Sequence, residues 1–129
     1  SAERIGHGVH VVEDDSVVAL ARDRGIYFEM CPTSNVQTGA VQNLRLHPLR
    51  PLYQQGVKVG IHTDDPSISN TSLNEEYRIA HEKLGFSMEE LVDMALISAD
   101  HIFLDSYRTE LRETIQEQVF SNDKTMEGV

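Results

Sequence analysis

Three short strand-like segments, separated by stretches with helical start and stop signals, constrain the fold of this chain most. Residues 4–7 and 26–31 have the composition of buried strands, and residues 57–63 alternate with period two. Strands that alternate with helices pair in parallel through right-handed crossovers. The sequence therefore predicts an α/β fold built on a parallel sheet of about three strands.

The helical stretches carry recognisable ends. Asp14 or Asp15 can cap a helix over residues 16–24, which Gly25 would end. Ser72 with Glu75, and Ser87 with Glu90, are typical capping boxes. The sequence predicts further helices at 48–55, 73–84, from Ser87 to about Phe103, and from Asp105 or Ser106 to about Phe120, with a loop at 33–42.

A sheet of three parallel strands is incomplete by itself. It cannot close into a barrel, and it would expose its edges, whereas parallel sheets are normally buried. The chain also begins at Ser1 without an initiator methionine and enters predicted structure almost at once. We therefore expect the 129 residues to be one domain that is a piece of a longer protein, with residues 121–129 as a frayed tail.

Composition argues against several classes of function. The net charge of −10, from 11 basic and 21 acidic residues, disfavours binding to a nucleic acid backbone. No apolar run approaches the roughly 20 residues of a membrane span, so we expect no membrane partner, and we expect no signal peptide. The single cysteine, Cys31, rules out an internal disulfide, so we expect a reducing cytoplasm.

Polar residues follow each predicted strand at its carboxyl end. His7 ends the first strand, residues 29–34 end the second, and residues 62–65 end the third. The carboxyl ends of parallel strands lie on one side of a sheet, where α/β proteins build their active sites. We therefore expect His7, Asp64 and Asp65 to converge despite their separation in sequence.

These residue types suit metal-assisted proton chemistry. Adjacent carboxylates at a strand end point in different directions, so one of Asp64 and Asp65 can bind a cation such as zinc while the other faces a ligand. His7, between two glycines, can take or steer a proton near neutral pH. The alternatives are that an aspartate caps the Asp-Pro turn and that His7 is a loop histidine satisfied by backbone groups.

Three other residues near the strand ends have weaker cases. His62 shares a strand face with Asp64, and we favour a structural role for it. Cys31 is expected to be a buried hydrophobe rather than a nucleophile. Glu29 could point inward as an acceptor that fixes the tautomer of His7, or it could form an outward salt bridge.

Four motifs stand out by their order and spacing along the chain. They are E-R-I-G-H-G-V-H at 3–10, E-M-C-P-T-S-N-V-Q-T-G at 29–39, H-P-L at 47–49, and T-D-D-P-S at 63–67. Together they resemble the C-terminal half of adenosine deaminase, and the resemblance runs from about Glu3 to the last predicted helix. The T-S-N-V-Q-T-G stretch favours adenosine deaminases over the related adenine and AMP deaminases.

The resemblance implies a zinc-dependent (β/α)8 barrel that hydrolyses adenosine and 2′-deoxyadenosine to the inosines and ammonia, with a purine nucleoside as its small-molecule partner. Residues 4–7, 26–31 and 57–63 would be the last three barrel strands. Asp64 matches the zinc-binding aspartate, His7 the histidine beside the attacking water, and Asp65 the aspartate that hydrogen-bonds the purine at N7.

The sequence departs from the family pattern because two of the family's motifs are not found in it. The family's H-x-H pair and its H-A-G-E segment, which supply zinc ligands and an acid, normally lie upstream of the Gly6-His7-Gly8 motif. A catalytic zinc needs about three protein ligands. We therefore expect this chain alone to be inactive and to need the N-terminal half of the same enzyme. The alternatives are an adenine or AMP deaminase and a non-catalytic interaction module derived from the barrel.

Overall fold

The computed structural model describes residues 2–126 and contains three parallel strands with helices between and after them. The strands are β1 (Arg4–Gly6), β2 (Tyr27–Met30) and β3 (Lys58–Ile61). The α-helices are α1 (Asp15–Asp23), α2 (Pro32–Gln37), α3 (Leu49–Gln54), α4 (Pro66–Ser69), α5 (Leu73–Glu82), α6 (Met88–Asp100) and α7 (Asp105–Met126), and two 3-10 turns cover Val9–Glu13 and Leu44–Leu46.

The sheet has the order β1-β2-β3, so the predicted parallel α/β arrangement is confirmed. Phe28 in the central strand lies opposite Ile5 on one side and Val59 on the other. Within residues 2–126, the outer edges of β1 and β3 have no strand partner. The sheet is therefore open at both edges, as the sequence predicts.

The hydrophobic core lies where β2 and β3 meet the helices. Side chains from the strands and from α3 and α6 are almost completely excluded from solvent, which is the main stabilising contribution in a domain of this size. The fully buried apolar residues include Phe28, Met30, Leu49, Leu52, Val59, Phe86 and Met94. This packing holds the carboxyl ends of the three strands in a fixed relation to one another.

Several element ends follow the predicted capping signals. The Asp14 carboxylate accepts from the Ser16 backbone N–H at the start of α1. Ser87 and Glu90 form the complete capping box of α6, while Ser72 accepts from the backbone of Glu75 at the start of α5. Local hydrogen bonding of this kind can be read from sequence because both partners lie within one helical turn.

Other bounds differ from the sequence prediction. Residues 33–42 are not all loop, since α2 begins at Pro32, whose fixed φ is tolerated in a first helical turn. Helix α6 ends at Asp100 rather than near Phe103. Helix α7 continues to Met126 rather than ending near Phe120, in a stretch without Gly or Pro to stop it. The rest of the predicted tail, residues 127–129, lies outside the described residues.

None of the helices in the described part of the chain combines the length and the apolar character needed to cross a bilayer.

Candidate active site

His7 lies immediately after β1, at a sharp turn in the backbone. Its N–H donates to the carbonyl of Glu29 at 2.9 Å, which continues the ladder between β1 and β2. Its φ of 58° is left-handed, a conformation that is uncommon outside glycine and is found at functional turns. The turn leaves the imidazole about half exposed on the carboxyl side of the sheet.

Asp64 occupies the corresponding place after β3. The N–H of His62 donates to the Met30 carbonyl at 2.8 Å, and the chain then turns at Asp64, whose φ is 60°. The Ser34 hydroxyl donates to Asp64 Oδ2 at 2.7 Å. Oδ1 of Asp64 accepts no hydrogen bond from the described residues, so one carboxylate oxygen keeps its full capacity for a ligand.

The two turns bring His7 and Asp64 together. His7 Nε2 lies 3.8 Å from Asp64 Oδ2, although the whole of β2 separates their strands in the sheet. The predicted convergence of this imidazole and this carboxylate is thus confirmed. At 3.8 Å the pair is too far apart for a direct hydrogen bond, and a ligand atom beside the pair can contact both groups.

Asp65 has a local structural task. Its Oδ1 accepts from the backbone N–H groups of Ser67 and Ile68, both at 3.0 Å, and caps the short helix α4. This is the turn-capping alternative that the Asp-Pro pair left open. The second carboxylate oxygen takes no part in the cap, so a role for Asp65 in binding a ligand stays a prediction.

Helix α2 supplies two buried polar side chains behind the site. Ser34 holds Asp64, and the Asn35 amide lies 3.1 Å from His7 Nδ1 and 3.1 Å from His47 Nε2. Sequence reasoning missed all three contacts because it assigned this stretch to a loop. The available signal was the run of small polar residues directly after a buried strand and a proline.

Of the two roles that the sequence left open for Glu29, the structure has the salt bridge and not the contact with the His7 ring. The Glu29 carboxylate instead accepts hydrogen bonds from the Arg4 guanidinium, which also donates to the carbonyl of His101 at 3.0 Å. Arg4 and Glu29 belong to adjacent strands and lie on the same side of the sheet, so the ion pair forms within the ladder. The position beside His7 Nδ1 is occupied by Asn35.

Cys31 and His62 have structural roles, as expected. Burial, with a further contribution from the charge of Asp64, raises the pKa of the Cys31 thiol to about 12, so the thiol is protonated at neutral pH and is a poor nucleophile. His62 Nε2 lies 2.8 Å from the Tyr27 hydroxyl, and burial lowers the pKa of His62. Burial thus disfavours the charged form of both side chains.

Two concave spaces meet at His7 and Asp64. A polar pocket of about 260 Å³ lies over the carboxyl ends of the strands, bordered by Glu29 and His62. A larger, mainly apolar cavity of about 640 Å³ runs along the open edge of β1. Its apolar lining includes Ile5, Val9, Val17, Leu20 and Phe28.

The described residues do not complete a metal site. No group of three His, Cys, Asp or Glu side chains within residues 2–126 is close enough to bind one ion. A catalytic zinc needs about three protein ligands, and Asp64 can offer one carboxylate oxygen.

Comparison with known proteins gives consistent similarities. A family model described as adenosine deaminase matches residues 1–118. An adenosine deaminase from Plasmodium gallinaceum is 34% identical over 119 residues, which are 92% of this chain and 32% of that protein. An adenine deaminase from Rhizobium meliloti is 41% identical over 102 residues, which are 79% of this chain and 32% of that protein.

Among solved structures, the adenine deaminase from Arthrobacter aurescens superposes with a TM-score of 0.86 at 30% identity, covering 91% of this chain and 36% of that one. The chain thus spans about a third of the length of the proteins it matches.

Proposed function

Because the chain belongs to the adenosine deaminase family, we propose that it supplies part of the active site of a hydrolytic deaminase. Its three parallel strands form the C-terminal part of a (β/α)8 barrel, whose catalytic groups lie at the carboxyl ends of the strands. The observation that carries the proposal is the 3.8 Å approach of His7 Nε2 to Asp64 Oδ2 at that end. The motif T-D-D-P-S and the motif around His7 support it independently.

The proposed substrates are adenosine and 2′-deoxyadenosine. Water adds at C6 of the purine, the bond from C6 to the amino nitrogen breaks, and ammonia leaves with the inosine product. His7 is proposed to interact with the oxygen that adds, which its 3.8 Å approach to Asp64 supports, and the Ser34 hydroxyl donates to the Asp64 carboxylate. Asp65 Oδ2 is proposed to face N7 of the ring. Both atoms are hydrogen-bond acceptors, so a hydrogen bond between them requires that one of the two carries a proton.

The proposed cofactor is Zn²⁺, with Asp64 as one of its ligands. When bound, zinc lowers the pKa of water to about 7 and makes it a nucleophile at neutral pH. Asp64 fits this task because its Oδ1 is free of hydrogen bonds from the described residues while Ser34 orients the carboxylate. The other ligands are expected from the upstream H-x-H and H-A-G-E segments of the family.

The upstream part of the same protein is the proposed partner. The cavity of about 640 Å³ beside the unpaired edge of β1 is mainly apolar and opens onto His7 and Asp64. Ile5, Val17 and Leu20 are partly exposed there, and burial of such side chains stabilises an interface. A preceding strand and helix would cover this face and bring the missing ligands to the site. A cytoplasmic location stays a prediction.

The second candidate is an adenine deaminase, which the similarity to the Rhizobium meliloti and Arthrobacter aurescens proteins favours. Deamination rates for adenosine, 2′-deoxyadenosine, adenine and AMP, measured on the protein with its upstream segment, separate the candidates. We expect the two nucleosides to give the highest kcat/KM. A preference for adenine or AMP would contradict the adenosine assignment, and no turnover of any of the four would favour a non-catalytic module.

A further inference from the structure

A line of three hydrogen bonds connects a backbone amide behind the site to the ring of His7. Leu49 N lies 3.1 Å from His47 Nδ1, and His47 Nε2 lies 3.1 Å from Asn35 Oδ1. Asn35 Nδ2 then lies 3.1 Å from His7 Nδ1. A fourth bond reaches the same Asn35 oxygen from the backbone N–H of Cys31 at 3.3 Å.

The first bond determines the tautomer of His47. A backbone N–H can only donate, so the Leu49 amide requires an unprotonated His47 Nδ1. A neutral imidazole then carries its proton on Nε2, which donates to Asn35 Oδ1. Burial lowers the pKa of His47 to about 4, so the ring is neutral at ordinary pH.

Two separate donors determine the orientation of the Asn35 amide. The Cys31 N–H and the His47 Nε2–H both donate to one atom of the amide, and only the carbonyl oxygen can accept from both. The Asn35 NH₂ group must therefore face His7 and donate to Nδ1. If the amide were flipped, two donors would face the NH₂ group and leave three buried polar groups without acceptors.

We propose that Asn35 and His47 are positioning residues that hold neutral His7 in the tautomer protonated on Nε2. The chemical meaning of this rests on the proposed deaminase function. In that tautomer, His7 presents a hydrogen-bond donor beside Asp64 Oδ2, 3.8 Å away. With a proton on Nε2, His7 donates a hydrogen bond to the reacting oxygen and stabilises its developing negative charge. It has no lone pair at Nε2 with which to act as a general base.

The surroundings of these hydrogen bonds keep their donor-to-acceptor direction fixed. Asn35 is 2% and His47 is 3% exposed, so water does not compete for their hydrogen bonds. Both terminal donors, Leu49 N–H and Cys31 N–H, belong to the backbone of packed elements and cannot rotate independently. Low local polarity strengthens such bonds and makes an unpaired member costly.

The test reads the tautomer directly. In ¹⁵N-histidine-labelled chain at about pH 8, above the ordinary histidine pKa of about 6.5, long-range ¹H–¹⁵N spectra should show His7 protonated on Nε2. Signals are assigned by their loss in His7→Gln. In Asn35→Asp, two donors to the new side chain favour the ionised carboxylate. That carboxylate can only accept, so His7 Nδ1 should become protonated.

Asn43→Asp makes the same chemical change at an exposed asparagine and should leave His7 protonated on Nε2. The proposal is overturned if the unsubstituted chain has its His7 proton mainly on Nδ1. It is also overturned if Asn35→Asp leaves Nδ1 unprotonated, or if Asn43→Asp shifts the tautomer equally.

A second measurement uses the unsubstituted chain and so does not depend on whether a variant folds. A scalar coupling across the bond between Asn35 Nδ2 and His7 Nδ1 in uniformly ¹⁵N-labelled chain is expected only if the amide donates to the ring. Its absence, with the Nδ1 resonance observed, would contradict the proposed direction. Neither readout depends on turnover, metal or substrate, so a failure of the deaminase proposal and a failure of this one are separate results.

Discussion

Ser34 lies in α2, which follows β2, and Asp64 lies in the turn after β3, yet the Ser34 hydroxyl donates to Asp64 Oδ2 at 2.7 Å. The bond joins the start of α2 to the turn after β3 and fixes the direction of the carboxylate. Asp64 itself is left-handed at φ 60°, so its side chain is oriented by the backbone on one side and by Ser34 on the other. Asp64 can therefore present Oδ1 in a constant direction.

Ser34→Ala should reduce kcat/KM by about 10–100-fold, since losing a partner that orients a metal ligand has an effect of that size. The measurement is steady-state adenosine deamination by the protein with its upstream segment. Ser87→Ala removes the same hydroxyl from the capping box of α6 and should lower stability with no comparable loss of activity. Equal activity losses in the two variants would mean that the Ser34 bond has no special role.

Glu76→Gln should lower the free energy of unfolding by about 1–3 kcal/mol. Glu76 is completely buried, and it accepts from the Thr33 N–H at 3.0 Å and from the Thr71 hydroxyl at 2.6 Å. The amide oxygen can still accept from the Thr33 N–H, but the NH₂ group then faces the Thr71 hydroxyl, which loses its acceptor there and has to reverse its hydrogen bond. Glu75→Gln, at an exposed ion pair with Arg78, should change stability much less, because solvent-exposed ion pairs contribute little. Denaturant titrations that gave the two variants equal stability would contradict this.

Gly8→Ala should destabilise the chain by about 2–4 kcal/mol, because it combines backbone strain with overpacking. Gly8 has φ 67°, and a methyl group there would lie 2.5 Å from Phe28 Cδ1. Gly39 has φ 77° with no atom within 4 Å of a methyl group, so Gly39→Ala should cost only the strain, about 1 kcal/mol. If thermal melting gave both variants the same loss, contact with Phe28 would not be the reason for Gly8.

Acidification should destabilise the chain through His47. Burial lowers the folded-state pKa of His47 to about 4, below that of an unfolded histidine, so the unfolded state binds the proton first. The stabilisation of the folded state by neutral His47 is complete above about pH 6.5. It is lost as the pH falls toward about 4 and amounts to at most about 3 kcal/mol. The free energy of unfolding of His47→Gln should vary less over this interval, while both proteins should show equal slopes between pH 7 and 8.

The fold was predictable where its signals are local or periodic. The three strands and the capped helices depend on apolar spacing and on partners within one turn, such as Ser87 and Glu90. Helix α2 was not predictable in this way, because the buried Glu76, 43 residues away, accepts from its first turn at Thr33. Such a contact leaves no mark on neighbouring residues.

The site was predictable in its two principal side chains. The parallel topology alone indicates that His7 and Asp64 converge, since both follow strands at the same edge of one sheet. The side chains that support them were not predictable. Asn35, and not Glu29, is the partner of His7 Nδ1 because of how the turn after β1 and helix α2 lie against each other in space, which the local sequence does not indicate.

The most direct test of the central claim is a complementation assay for adenosine deamination. The chain alone, and the chain supplied with the upstream segment of its own protein, are compared at equal concentration with added Zn²⁺. We expect no turnover from the chain alone, turnover when the upstream segment is present, and loss of that turnover in Asp64→Asn. Strong turnover from the isolated chain, or full activity of Asp64→Asn in the completed protein, would contradict it.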